Sequence, residues 1–316
     1  MMRLVLLICL CAVTAVEARS SQPEPTFRNR TDLLAWISAY REEPRPDHVA
    51  GAVQAMSKLG IFRDLDRAAV FIGFVAGVVG ENQLDAERLI AEMFPLRPED
   101  QVVIIRAIAD SGLPNWRDLM ARFVERMPAR KILIRNYLYG KSKPLQELPL
   151  DKGPEVLDAW WGVYFATGRY EPIRRLLPAL KWSDEGDNLD RLTIASMAMW
   201  TLSANASRDK PLLDFLRAEA YRQPAKVAAP LRELVLAAET FETAKIRKAQ
   251  VAKMDELKKR GPASGRQWAW WSRAASTAIA LGCVVAGAAG QAQLGLPCLI
   301  GGTVSSAAER ILRAPR

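Results

Sequence analysis

The chain has 316 residues, half of them hydrophobic and a quarter charged, which is an ordinary composition for a globular protein. It contains one histidine, the sequence indicates no Ser-His-Asp or Cys-His arrangement, and no CxxC or HExxH motif follows residue 18. The net charge of +9 is uneven: residues 19–224 carry +1, whereas residues 225–316 carry +8. This asymmetry indicates a C-terminal segment that meets an anionic surface such as lipid; a solvated helix face is the alternative.

The first 18 residues have the form of a secretory signal peptide. Arg3 supplies a short basic region, an apolar run extends from Leu4 to Val13, and Val16-Glu17-Ala18 fits a small-residue cleavage site. The apolar run is too short to span a bilayer. We therefore expect export to the periplasm or cell envelope, with a polar linker at residues 19–26. A cytosolic protein with an apolar N-terminal helix is the alternative.

Residues 27–224 are predicted to form a domain of helical hairpins. Apolar residues recur at three- and four-residue spacing between Pro and Gly boundaries, and no segment shows convincing period-two alternation. Residues 68–79 are apolar almost all round, which predicts a central, buried helix. The predicted class is all-α: a solenoid-like array of antiparallel hairpins, then a long helix and a C-terminal hydrophobic hairpin.

A helix–turn–helix unit is readable from residue 155, in EVLDAWWGVYFATGRYEPIRRLLPAL. Aromatic residues lie on the first helix, Gly168 at the turn and aliphatic residues on the second, and one further pair follows. Residues 155–221 thus weakly resemble a tetratricopeptide-type repeat. The resemblance implies stacked helical hairpins that bind peptides or protein partners without catalysis. Candidates for the partner-binding face are Trp160, Trp161, Tyr164 and Tyr170, although aromatic residues at this spacing are also typical of a core.

Residues 225–260 are predicted to form one long basic helix. Its acidic residues lie early and its basic residues late, which suits the helix dipole. Glu242 with Lys245, and Asp255 with Lys259, are favourable pairs at helical spacing. Residues 261–267, which include GPASG, are expected to be a linker.

Residues 268–316 are rich in Gly and Ala and are predicted to be a hydrophobic hairpin that touches or enters a membrane. Residues 274–289 carry no charge, and Trp270 to Gly290 would extend about 31 Å as a helix, against roughly 30 Å of hydrocarbon. Small residues recur every fourth position, which lets helices approach closely in lipid. The candidate membrane or interface residues are Trp268, Trp270, Trp271, Arg266, Arg273, Gly282, Ala286 and Gly290.

Two topology signals disagree in this segment. A signal peptide would send the basic run 258–273 outward, although such runs normally stay in the cytoplasm. A hairpin that turns at residues 290–293 resolves the conflict, because the segment then need not cross the bilayer. The hairpin would bring Cys283 and Cys298 nearly opposite each other, which is compatible with a disulfide in an oxidising compartment. Two buried free thiols are the alternative.

We predict no catalytic residue, no metal site and no cofactor. His48 follows Pro46 and Asp47 at a helix start, where a surface position is expected. The GKSK at 140–143 lacks the upstream glycine of a phosphate-binding loop. The acidic cluster SDEGDNLD, residues 183–190, lacks the terminal Glu of a calcium loop, and a helix cap at Asp187 or Asn188 explains it better. No nucleic-acid partner is expected, because the basic tail has no interleaved base-stacking aromatics.

The leading interpretation is a non-enzymatic, exported scaffold or interaction protein of the cell envelope. Its helical array would bind a protein partner, and residues 268–316 would associate with membrane lipid. One alternative is a secreted membrane-active protein, pore-forming or effector-like, whose terminal hairpin inserts into lipid. Another is an all-α hydrolase that uses carboxylates, which needs a deep cleft holding an acid of raised pKa. The sequence leaves the partner and the oligomeric state open.

Overall fold

Every regular element is helical in the part of the chain that the computed structural model describes, residues 25–185 and 187–260. The prediction of an all-α fold is confirmed for these residues. Side chains at positions 244, 247, 254, 255 and 257–260 are outside the description. The α-helices are α1 (Arg30–Ala39), α2 (Val49–Lys58), α3 (Ala69–Glu81), α4 (Ala86–Glu92), α5 (Val102–Asp110), α6 (Trp116–Arg122), α7 (Lys131–Leu138), α8 (Pro154–Thr167), α9 (Glu171–Leu176), α10 (Leu189–Ala206), α11 (Lys210–Glu219), α12 (Ala225–Glu239) and α13 (Thr243–Arg260).

Short 3₁₀ segments join several of these helices: Pro46–His48, Ile61–Arg63, Val124–Arg126, Pro128–Arg130, Leu145–Glu147, Leu150–Lys152 and Leu177–Trp182. Side-chain caps stabilise the starts of α1, α10 and α11, where Asn29, Asn188 and Asp209 act as caps. In each case a cap oxygen accepts from a backbone N–H that has no partner inside the helix. The Asn29 side chain accepts from the Asp32 N–H at 3.0 Å, and that of Asn188 accepts from the Arg191 N–H at 3.1 Å. The cap predicted at Asn188 is therefore confirmed.

The centre of the fold is the pair α3 and α8. Residues 69–79 are buried on every side of α3, which confirms the predicted central helix. No other pair of helices in the described part of the chain packs as extensively. Glycine allows the close approach of these two helices. A Cβ atom on Gly73 would lie 2.0 Å from the carbonyl oxygen of Ala159. The two helix backbones are therefore in direct contact, with no side chain between them.

One continuous hydrophobic core extends from Leu33 in α1 to Ile246 in α13. Around the central pair, α5 packs on α3, and α9 packs on α8. At the other end, α10 contacts α11, α12, α13 and the segment Leu177–Trp182. The residues after 224 thus share the core of the helices before them.

The solenoid-like array of hairpins is not confirmed. In a solenoid each repeat contacts only its neighbours in the chain. Here α8 packs most extensively on α3, and four other α-helices separate the two in the chain. Helix α8 also contacts its neighbour α9. The predicted C-terminal hairpin lies outside the described residues, as do the predicted signal peptide and the linker 261–267.

The prediction of one continuous helix over residues 225–260 is wrong. Helix α12 ends at Glu239 and α13 begins at Thr243, because Phe241 takes a left-handed conformation with φ 55°. The Glu242 N–H donates to the carbonyl of Ala237 at 2.9 Å and closes the turn. The break turns α13 back so that it contacts both α10 and α12. The predicted pair of Glu242 and Lys245 is present as a salt bridge within the turn.

None of the helices in the described part of the chain combines the length and the apolar character that a membrane crossing requires.

Candidate functional site

The aromatic residues predicted to face a partner lie mostly in the core. Trp160, Trp161 and Tyr164 are buried on α8, and the Trp161 indole N–H donates to the Thr201 hydroxyl at 3.0 Å. Tyr170, which directly precedes α9, is half-buried. These side chains therefore do not form an exposed contact face in this structure. Their contacts instead join α8 to α10 and α11.

A polar network surrounds the hydroxyl of Tyr164. Arg41, from the turn after α1, donates to this hydroxyl, which in turn donates to Asp209 Oδ2 at 2.8 Å. Arg41 Nη1 also lies 2.7 Å from Asp209 Oδ2. The other Asp209 oxygen accepts from the Leu212 N–H at 3.0 Å and caps α11. Three distant segments of the chain thus meet at one phenol.

The electrostatics of this network favour a structural role. Burial raises the pKa of the Tyr164 hydroxyl, and the charge of Asp209 raises it further, while Arg41 lowers it in part. The hydroxyl therefore keeps its proton and donates it to the carboxylate. A tyrosine that serves as a general base needs the opposite shift.

A second network locks α9 onto α11. Tyr170 stacks on Phe215 with ring centroids 4.3 Å apart, and the Arg174 guanidinium lies over the Phe215 ring, 5.1 Å from its centroid. Arg174 Nε donates to Glu219 at 3.2 Å. Burial alone would raise the pKa of Glu219, but hydrogen bonds from Gln223 and Arg174 lower it overall. These contacts of Tyr170 and Arg174 thus attach the start of α9 and α9 itself to α11.

Asp110, at the end of α5, is a buried acid with a raised pKa. Burial raises its pKa to about 6, although Arg106 and a hydrogen bond from the Leu145 N–H act in the opposite direction. That hydrogen bond measures 2.8 Å and ties the segment after α7 to α5. A carboxylate hydrolase needs such an acid at the wall of a cleft. Asp110 is not among the residues that line the groove beside α2, which is described below.

A groove of about 330 Å³ opens beside α2. Its polar residues are His48, Gln54 and Lys58, so it offers no carboxylate and no hydroxyl or thiol nucleophile. His48 is partly buried here, with 13% of its side chain exposed, and is not the surface residue expected from the sequence. Within the described residues, no three His, Cys, Asp or Glu side chains form a group that could hold a metal ion. The complete lining is Pro25, Phe27, His48, Gly51, Gln54, Ala55, Lys58 and Leu59.

An unexpected basic surface surrounds α7. Residues 116–143 hold eight basic and two acidic residues, a net charge of +6. The net charge of residues 19–224 hides this concentration, because the rest of that range carries −5 and cancels most of it. Two large apolar side chains stand out from it, Ile132 with 70% and Tyr139 with 75% of its surface exposed. We define the α7 surface as the exposed residues Lys131, Ile132, Arg135, Tyr139, Lys141 and Lys143.

Helix α13 carries seven basic and two acidic residues and is docked on the body of the protein. Gln250 is buried against α10, where it accepts from the Ser196 hydroxyl at 3.0 Å. Lys253 Nζ donates to the Ser183 carbonyl at 3.2 Å and to Asp184 at 2.7 Å. The acidic cluster at 183–190 thus has two structural uses, a cap for α10 and a partner for α13.

The remaining predicted site residues lie outside the described part of the chain: Cys283, Cys298, Trp268, Trp270, Trp271, Arg266, Arg273, Gly282, Ala286 and Gly290. Comparison with protein-family models, with curated proteins and with solved structures finds no match.

Proposed function

We propose that this protein is a non-enzymatic helical interaction protein of the cell envelope, held at a membrane by its C-terminal segment. The observation that carries the proposal is the docking of α13. Gln250 and Lys253 fix this basic helix, the last described element before the apolar tail, on the body. With α13 docked, only the predicted linker 261–267 would separate the body from the surface that the tail binds.

The composition of the tail supports the membrane part of the proposal. Residues 274–289 are free of charge, and arginines and tryptophans precede them. This order, basic and aromatic residues beside an apolar run, is typical of segments at a bilayer interface. The signal-like first 18 residues support a place in the envelope.

The polar side chains of the helical body support a binding role over a catalytic one. Tyr164 and Glu219 hold helices together, and the groove beside α2 has no carboxylate, hydroxyl or thiol among its lining side chains. A protein partner remains part of the proposal, although the aromatic residues of α8 are buried and another face must bind it.

Flotation of the purified full-length protein with lipid vesicles in high salt tests the proposal. We expect the protein to float with the vesicles and the variant Val284→Asp/Val285→Asp to remain unbound, because charges oppose burial of the tail in hydrocarbon. Leu84→Asp/Leu236→Asp, which places the same charges on exposed body positions, is the control and should float. Flotation of the tail variant as well as the parent would overturn the proposal.

The second candidate is a membrane-active protein, favoured by the conflict between the export signal and the basic run 258–273. Insertion from outside would remove that conflict. A passive anchor causes no leakage of dye from anionic vesicles, whereas a pore former does. Rapid leakage that Val284→Asp/Val285→Asp abolishes would replace the first proposal with this one.

A further inference from the structure

We propose that the α7 surface is a second membrane contact, which binds the anionic headgroups of the bilayer on which the tail anchors the protein. The inference rests on the proposed function in one respect only, that the protein works at a membrane. It concerns a different segment, in the described body of the protein, and its test measures the lipid binding of that segment separately from that of the tail.

The geometry of α7 sets two apolar side chains outward on one face. Ile134 and Tyr137 point inward and are buried, which fixes the rotation of the helix on the body. Ile132 and Tyr139 lie seven residues apart, about two helical turns, and both are largely exposed. Arg135 lies between them on the same face and is exposed too.

The basic groups around this face are largely uncompensated. Arg135, Lys141 and Lys143 form no ion pair with any carboxylate of the described residues. Lys131 has only a 3.5 Å contact with the exposed Glu125. Charges that are exposed and unpaired remain available to attract an anionic surface.

The shape favours a lipid surface over a protein or a nucleic acid. A protein partner would have to supply a groove for two protruding side chains, and a nucleic acid gains nothing from an exposed isoleucine. A bilayer interface accepts all three components: an aliphatic side chain among the acyl chains, a tyrosine at headgroup level and flanking positive charges. Because only two apolar side chains enter, the contact is weak alone and adds to the tail.

The test uses full-length protein carrying Val284→Asp/Val285→Asp, so that the tail does not mask the α7 surface. Binding to phosphatidylcholine vesicles with and without phosphatidylserine is measured at low salt. Neutralising Arg135→Gln/Lys141→Gln/Lys143→Gln should lower partitioning onto the anionic vesicles by about a hundredfold, at roughly fivefold per charge. The control Arg208→Gln/Lys226→Gln/Arg232→Gln removes the same charge from exposed positions elsewhere. Equal losses in the two triple variants would overturn the proposal.

A second pair of variants separates lipid from other polyanions. Ile132→Ser/Tyr139→Ser should lower partitioning by about tenfold or more, because two apolar side chains no longer enter the bilayer. Leu84→Ser/Tyr221→Ser is matched, since these side chains are 100% and 85% exposed, and should bind as the parent does. If only the charge variants reduce binding, and DNA or heparin competes fully, the surface takes a polyanion and the lipid proposal is wrong. Far-UV circular dichroism confirms that each variant is folded.

Failure of this proposal is distinguishable from failure of the proposed function. A tail variant that floats in high salt contradicts the anchor, whatever α7 does. If the α7 substitutions leave the low-salt vesicle binding of the tail variant unchanged, only the proposed second contact is contradicted.

Discussion

Gly162 of α8 lies directly against the backbone of Val70 of α3: a Cβ atom at position 162 would be 2.1 Å from the Val70 carbonyl oxygen. Gly73 makes the reciprocal approach from α3 to Ala159. Glycine at these positions removes the side chains that would otherwise keep two helix axes 8–10 Å apart. The most buried helix pair of the fold therefore depends on the absence of a methyl group.

We predict that Gly162→Ala lowers the free energy of unfolding by about 3 kcal/mol, because the new methyl group must push two rigid helices apart. Urea unfolding of the purified protein measures this. Gly51→Ala is the matched control, since position 51 also lies in a helix and a Cβ there would have no atom within 4 Å. It should raise the free energy of unfolding by about 0.5–1 kcal/mol. Equal effects of the two substitutions would contradict the close packing of α3 on α8.

Asp110 should make stability fall as pH rises. Its pKa is about 6 in the folded protein against an ordinary 3.8, so the folded state holds the proton more tightly than the unfolded state does. The contribution is complete below pH 3.8 and is lost as pH rises to about 6, a change on the order of 3 kcal/mol. Asp110→Asn should remove this pH dependence from urea unfolding curves. The exposed carboxylate Asp118, changed to Asn, is the control. Parallel curves for the parent and Asp110→Asn would show that the buried acid does not titrate in this way.

The hydroxyl of Tyr164 should contribute to stability, because it joins Arg41 and Asp209 in a partly buried network. Tyr164→Phe removes both hydrogen bonds and should cost about 1–2 kcal/mol. Tyr139→Phe removes an exposed hydroxyl and should change stability by less than about 0.5 kcal/mol. Thermal unfolding in parallel measures both, and a cost for Tyr164→Phe no greater than for Tyr139→Phe would exclude a stabilising network.

The left-handed Phe241 offers a test of the break between α12 and α13. Its φ of 55° is unfavourable for a residue with a Cβ atom and costs nothing for glycine. Its ring is exposed, so Phe241→Ala and Phe241→Gly lose similar contacts. We expect the glycine variant to be the more stable of the two by about 1 kcal/mol in urea unfolding. A more stable alanine variant would favour the continuous helix that the sequence suggested.

Elements whose pattern is local were predictable from the sequence. Residues 68–79 are apolar on all sides and form the central helix, and Asn188 begins α10 as its side-chain chemistry suggests. The break at Phe241 was not predictable, because no Gly or Pro marks it and the docking of α13 on α10 imposes it. The pairing of α3 with α8 is equally non-local. Glycines spaced along α3 were visible in the sequence, but their partner was not.

The candidate functional surfaces also differ in whether a local sequence pattern indicates them. The spacing of Trp161 and Tyr164 places them on one side of a helix without indicating what covers that side, and in the structure both side chains are buried. The α7 surface had a signal that a smaller window would have found. Residues 131–143, KILIRNYLYGKSK, combine four basic residues with no acidic one, and place Ile132 and Tyr139 seven positions apart.

Attachment to the membrane through the tail is tested by carbonate extraction of membranes from cells that express the full chain, or a chain that ends at Arg260. The shorter chain keeps every described helix and the continuous core. We expect the full chain to stay with the membrane pellet and the shorter chain to be released, because alkaline carbonate removes surface-bound proteins and leaves embedded ones. Release of both chains would show that the segment after residue 260 is not embedded in the bilayer. Retention of both would place the attachment in the helical body, and either result would contradict attachment through the tail.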